Sequence, residues 1–216
     1  EKIFYFILFY FILFYFISIL IITLSSCSEE NVSSEKLVTR QGLYYKINSQ
    51  IPYSGFSSNY YYNGQLQLKE TFKNGKLEGP YESYYENGQL ELKKIFKNGK
   101  LEGLFESYYK NGQLKEKETF KNGKLEGPYE SYYENGQLEV SGNFLNGFLH
   151  GVVEIYYRNG QLRLKNTFKN DKLEGLFESY FENGQLRESG NQLNDKLKGP
   201  YERYNENGKL ELKGNY

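Results

Sequence analysis

From about Tyr60 onward, apolar and polar residues alternate in short runs, and every run resets at an Asn-led turn. Asn-Gly recurs at Asn63, Asn87, Asn111, Asn135, Asn159, Asn183 and Asn207. A second series of turns lies between them at Asn74, Asn98, Asn122, Asn146, Asn170 and Asn194. Spacings alternate between 11 and 13, a period of 24 residues. A fixed period of this size means a repeat array, and Asn-Gly between alternating apolar positions is a strong hairpin signal. Two-residue loops at Asn87-Gly88 and Asn98-Gly99 predict the pairs Glu86–Gln89, Tyr85–Leu90, Lys97–Lys100 and Phe96–Leu101. Because strand side chains alternate faces, Leu77, Gly79, Tyr81, Ser83, Tyr85, Leu90, Leu92, Phe96 and Leu101 then share one face. Glu78, Pro80, Glu82, Tyr84, Glu86, Gln89, Glu91, Lys93 and Lys97 take the other. The expected fold is all-β, an elongated single-layer antiparallel meander of tandem hairpins. About fourteen strands at roughly 4.8 Å give a ribbon on the order of 60 Å long.

The period turns single residues into columns. Gly79, Gly103, Gly127, Gly151, Gly175 and Gly199 form one. Glycine inside a strand marks a bend or close approach, so the ribbon is expected to curve there, with the face of Leu66, Phe72, Leu77 and Tyr81 concave. Glu82, Glu106, Glu130, Glu154, Glu178 and Glu202 form a second column, which reads as a solvated face balanced by Lys93, Lys97 and Lys100. Tyr84, Tyr108, Tyr132, Tyr156, Tyr180 and Tyr204 form a third, on the charged face, with about 9.6 Å between rungs. Exposed aromatics enrich binding surfaces, so these tyrosines are the candidate binding strip; the plain alternative is that Lys and Glu stems pack on them.

The first residues are of another kind. Between Ile3 and Leu24 there is no charged residue, which predicts a secretion signal or a membrane helix. Leu24-Ser25-Ser26-Cys27 follows and resembles the lipobox of bacterial lipoproteins. The resemblance implies lipidation at Cys27, cleavage before it, and membrane attachment; an uncleaved anchor helix is the alternative. Cys27 is the single cysteine. The expected divisions are a signal peptide over 1–26, a flexible tether over 27–41, a degenerate capping repeat over 42–62 and tandem repeats over 63–216. The final strand, Lys209 to Tyr216, is expected to be an edge able to pair with another chain.

Composition narrows the chemistry. The 27 basic and 27 acidic residues cancel, which argues against nucleic acid as a partner. Twenty-three tyrosines and sixteen phenylalanines suit a thin sheet, since a tyrosine ring packs while its hydroxyl stays wet. The lone histidine, His150, sits in a column otherwise holding Glu78, Glu102, Glu126, Glu174 and Lys198. Without a partner histidine or thiol it does not make a metal site or a triad. No motif calls for a cofactor, and columns copied at every rung are unlike a catalytic site, which is singular. The expectation is a non-enzyme.

The unit resembles the MORN repeat in its bacterial variant form. Gly79-Pro80-Tyr81, Tyr84-Tyr85, Asn87-Gly88 and Asn98-Gly99-Lys100-Leu101-Glu102-Gly103 carry the likeness, and Asn146-Gly147-Phe148-Leu149-His150-Gly151 is the unit closest to a His-Gly ending. The resemblance implies a single-layer sheet used as a scaffold for protein, glycan or lipid-headgroup partners. It also implies an alternative, since some bacterial members are antitoxin components that bind a toxic partner. Together with Cys27 it points to a lipoprotein of the bacterial envelope, at the outer membrane or cell surface.

Overall fold

The computed structural model describes residues 31–216; the expected signal segment and Cys27 lie outside the described residues. The array opens with β1 (Asn31–Val32), a 3-10 turn (Ser34–Lys36), β2 (Leu37–Arg40), β3 (Leu43–Lys46) and β4 (Gly55–Tyr60). Regular hairpin strands follow: β5 (Leu66–Lys73), β6 (Lys76–Tyr84), β7 (Leu90–Lys97), β8 (Lys100–Tyr108), β9 (Leu114–Lys121), β10 (Lys124–Tyr132), β11 (Leu138–Leu145) and β12 (Phe148–Tyr156). The series closes with β13 (Leu162–Lys169), β14 (Lys172–Leu173), β15 (Gly175–Tyr180), β16 (Leu186–Leu193), β17 (Lys196–Tyr204) and β18 (Leu210–Asn215). From β4 onward each strand pairs antiparallel with its chain neighbours, β14 and β15 both pairing β13, and β1 adds to β4 in parallel. This is the expected single antiparallel meander.

The two turn series differ, and one departs from expectation. At Asn98-Gly99 both residues have positive φ (52° and 76°), and Lys97–Lys100 and Phe96–Leu101 pair as predicted. This is the two-residue type I′ loop. At Asn87-Gly88 only the glycine is left-handed (φ 82°). The Gly88 N–H donates to Tyr85 O and the Tyr85 N–H to Gln89 O, each at 2.8 Å. That is a three-residue loop, a type I turn closed by a left-handed glycine. The predicted pairs Glu86–Gln89 and Tyr85–Leu90 are therefore replaced by Tyr85–Gln89 and Tyr84–Leu90. A bulge between Ser83 and Tyr84 then restores the register, with Ser83 opposite Leu92 and Gly79 opposite Phe96. Leu90 and Leu66 thus pair with Tyr84 and Tyr60 instead of joining the apolar face. Glu91 turns to Ser83, whose hydroxyl donates to it at 3.2 Å.

One face is the packed one. The buried apolar side chains Phe72, Val153, Phe177 and Tyr201 all lie on it, and its rings recur at one geometry. Tyr81–Phe96, Phe105–Phe120 and Tyr129–Phe144 each have centroids 6.0 Å apart in edge-on contact. Burial on a single layer is slight, so charged residues share this face: Lys94 lies 4.2 Å from the Tyr81 ring centroid. Burial lowers the Lys94 pKa, with Glu70 opposing, and raises that of Glu70, with Lys94 opposing. Glu118 is pushed up to about 7 by burial first and by the neighbouring Glu116 second. The glycine column, where the ribbon is expected to bend, sits at register shifts: between the Phe96–Leu101 and Lys94–Phe105 pairs, Glu102, Gly103 and Leu104 oppose Ile95 alone.

The first units are built differently from the rest. Where composition suggests a tether, residues 31–40 carry β1, the 3-10 turn and β2. β2 and β3 form their own two-stranded sheet, laid against the first turn of the array. The Tyr44 N–H donates to Gly75 O (2.8 Å), the Gly75 N–H to Tyr53 O (2.7 Å), and the Tyr44 and Tyr53 rings flank Phe72 at 4.8 and 5.7 Å. This cap produces the deepest burial among the described apolar residues, 3% exposure at Phe72 and 4% at Tyr53.

Candidate binding surface

On the face opposite the packed one, Glu and Lys alternate across successive strands. The register runs Lys69–Glu82–Lys93–Glu106–Lys117–Glu130 without interruption. Beyond Glu130 it continues through Ser141, Glu154, Lys165, Glu178, Ser189, Glu202 and Lys213. Opposite charges directly across a pair stabilise a sheet modestly, and Lys165–Glu154 (3.3 Å) and Lys213–Glu202 (2.7 Å) close as ion pairs. Lys93 balances the glutamates as expected. Lys97 and Lys100 do not: they oppose each other at a turn.

Each tyrosine of the predicted strip stands two residues after a glutamate of this row, on the same face. Its hydroxyl donates to that carboxylate: Tyr84 to Glu82 at 2.9 Å, Tyr108 to Glu106 at 3.1 Å and Tyr132 to Glu130 at 2.8 Å. Tyr156 to Glu154 at 2.8 Å, Tyr180 to Glu178 at 3.0 Å and Tyr204 to Glu202 at 2.5 Å complete the column. All six tyrosines are half-buried. Burial first, then the carboxylate bond, pushes Tyr84 and Tyr132 up to about 12. These two phenols are neutral donors throughout the physiological range, each fixed by a charge-assisted hydrogen bond. The strip is a row of oriented rings with a flanking carboxylate at every rung.

The column beside it has a different task, which sequence reasoning missed. The Tyr85 hydroxyl donates to the carbonyl of Tyr108, one unit on, at 2.7 Å. Tyr61, Tyr109, Tyr133 and Tyr157 make the same bond to Tyr84, Tyr132, Tyr156 and Tyr180 at 2.7–2.8 Å. Asparagine adds a second staple at the same edge. Asn87 Oδ1 accepts the Gln89 N–H (3.1 Å) while its Nδ2 donates to Lys110 O in the next unit (3.1 Å). The available signal was the Tyr-Tyr dipeptide itself, two rings on opposite faces copied every 24 residues. The first tyrosine belongs to the surface and the second to the scaffold.

At the opposite edge, glutamates of the His150 column hold the turns. The Asn98, Asn122 and Asn146 N–H groups donate to Glu78, Glu102 and Glu126 at 2.6–2.7 Å. His150 breaks the series: it is half-buried, lies opposite Lys169, and its Nδ1 has no hydrogen-bond partner. The next turn is Asn-Asp instead of Asn-Gly, and Asp171 Oδ1 accepts the Leu149 N–H at 2.6 Å. A side-chain acceptor is thus kept by moving it into the turn.

A periodic register, copied staples and copied surface rungs together describe tandem units of one kind. The model of the MORN repeat variant family matches residues 57–74, 77–98, 101–122, 125–146, 149–170, 173–194 and 197–216. The chain belongs to the MORN repeat variant family. The five inner matched segments run from one type I′ turn to the next, so each family unit here is a strand, a three-residue loop and a returning strand. The curated proteins compared with the chain yield no match. A MORN array supports a repeat-based binding module and is consistent with a protein that is not an enzyme.

Proposed function

We propose that this MORN-repeat protein is an envelope-anchored interaction module. Its working surface is the strip formed by Tyr84, Tyr108, Tyr132, Tyr156, Tyr180 and Tyr204, and its partner is a protein or an envelope glycan. The observation that carries this reading is the repeated Tyr-to-Glu hydrogen bond, which sets the same ring and carboxylate at six successive rungs. A repetitive surface of this kind acts by avidity, adding many weak contacts along one line. Half-buried rings fixed in orientation lose little freedom on binding. Nothing in the rungs singles out one unit, as a catalytic centre would require.

Attachment rests on Leu24-Ser25-Ser26-Cys27 and on the apolar run before it. Metabolic labelling with an alkyne fatty acid, comparing the natural chain with Cys27→Ala, tests it. The expected result is label that depends on Cys27, with a mass showing loss of residues 1–26. No label and an intact N-terminus would contradict lipidation, leave an uncleaved anchor, and favour the antitoxin alternative. The face is tested separately with a photo-crosslinking residue at Tyr132 or at Tyr133. Adducts from Tyr132 and none from Tyr133 are expected; the reverse would assign recognition to the other face.

A further inference from the structure

The zero net charge of the chain conceals a segregation. At three successive type I′ turns, lysine faces lysine: Lys73 opposite Lys76, Lys97 opposite Lys100, and Lys121 opposite Lys124. All six are exposed, and none has an ion pair or hydrogen bond among the described residues. Like charges directly opposed in a pair are destabilising. The same chain avoids this on its sheet face, where Lys93 and Lys117 each lie between two glutamates. Lysines that guard against strand pairing sit on edge strands; these sit at hairpin ends, where no strand edge is open.

The row is also held in place. The Gly99 N–H donates to Leu77 O at 2.9 Å and the Gly123 N–H to Leu101 O at 2.8 Å, so successive turns are tied together. With two strand spacings between turns, about 9.6 Å, the three pairs line up along one edge. The carboxylates nearest this edge, Glu78, Glu102 and Glu126, already accept turn N–H groups. The fourth turn places Leu145 opposite Phe148, and the fifth again opposes lysines, Lys169 and Lys172, but there Glu174 pairs with Lys169 at 3.3 Å.

We propose that this edge binds a linear polyanion, a flexible chain carrying phosphates at regular intervals and lacking bases. The lysines form a line one hairpin wide, which suits a chain more than a plane. The three turns are Lys-Asn-Gly-Lys throughout, and they carry no aromatic ring on which a base would stack, as single-stranded nucleic-acid sites do. This site is separate from the tyrosine strip and does not depend on it.

The test is titration of the full chain, held in neutral detergent, with long-chain inorganic polyphosphate. Saturable binding is expected at low salt, with log K falling against log salt at a slope of about −4, from six neutralised phosphates. Lys97→Gln with Lys100→Gln is expected to flatten that slope by about 1.4 and to weaken binding about tenfold at low salt. Its thermal midpoint stays the same or rises, because a like-charge pair is removed. Lys69→Gln with Lys93→Gln removes the same charge from the sheet face and is expected to weaken binding less than the turn variant, a difference that widens as salt rises to about 0.15 M, where the Debye length falls to about 8 Å. Equal losses in the two double variants would overturn the proposal. So would absence of saturable binding, orthophosphate competing as well per phosphate as the polymer, or oligothymidylate of equal charge binding more tightly.

Discussion

At the residue scale, two adjacent tyrosines divide the work of each unit. Tyr109 secures the next unit through the Tyr132 carbonyl, while Tyr108 presents a ring fixed by Glu106. The sixth unit has Phe181 where the first five have the scaffold tyrosine and the seventh has Asn205, and phenylalanine has no hydroxyl to reach the following unit. Phe181→Tyr is therefore expected to stabilise the chain by about 1 kcal/mol, the worth of one net hydrogen bond. Tyr109→Phe should destabilise it by a similar amount. Thermal denaturation of both variants reads the effect as shifts of about 3 °C in opposite directions; no shift in either would remove the hydroxyl ladder from the account. Glu118 gives a second test. Its pKa is raised from 4.5 to about 7 by burial and by Glu116. The folded state therefore binds the proton more tightly than the unfolded chain, and stability is lost as pH rises between 4.5 and 7. Glu118→Gln should flatten that dependence and raise the midpoint at pH 8. A variant with the same pH profile as the natural chain would contradict the burial argument.

At the element scale, one turn series was legible in the sequence and the other was not. Lys97-Asn98-Gly99-Lys100 forms the type I′ hairpin that its dipeptide signals. Glu86-Asn87-Gly88-Gln89 carries the same dipeptide but keeps Asn87 out of the left-handed region, because its side chain accepts from Gln89 and donates to Lys110. The dipeptide alone does not distinguish the two; the unequal spacings of 11 and 13 hold the clue. The bulge at Tyr84 absorbs the difference, which is why Tyr81, Ser83, Leu92 and Phe96 were assigned to the correct face while Leu90 and Glu91 were not. The tyrosine strip kept its place on the charged face, and the Tyr–Glu bond within each rung follows from i, i+2 spacing. A capping segment over 42–62 was expected, but its contacts were not legible, since they join Tyr44 and Tyr53 to the Gly75 turn and to Phe72 from outside the regular repeats. That contact sets a test. A Cβ on Gly75 would lie 2.9 Å from Leu43 Cβ and 3.1 Å from Tyr44 O, whereas on Gly99 its nearest neighbour would be Lys76 Cβ at 3.9 Å. Both glycines have nearly the same positive φ, so backbone strain cancels in the comparison. Gly99→Ala is expected to cost about 1 kcal/mol and Gly75→Ala about 1–3 kcal/mol more, from overpacking against the cap. Denaturant titration of the two variants decides; equal costs would mean the cap is not packed there.

At the scale of the whole molecule, the ribbon has two faces and two turn edges with separate chemistry. The packed face supplies a thin aromatic core. The opposite face carries alternating charge and the tyrosine rungs. One edge is stapled by asparagine and tyrosine, and the other carries the opposed lysines. Because each unit contacts mainly its neighbours, a surface copied along the ribbon is additive, and the central claim is that recognition is spread over many rungs. A photo-crosslinking residue walked singly through Tyr84, Tyr108, Tyr132, Tyr156, Tyr180 and Tyr204 in cells tests this most directly. The account predicts that one and the same partner is captured from at least three successive positions. Capture confined to a single rung, with its neighbours silent, would contradict it and reveal a singular site in place of a strip.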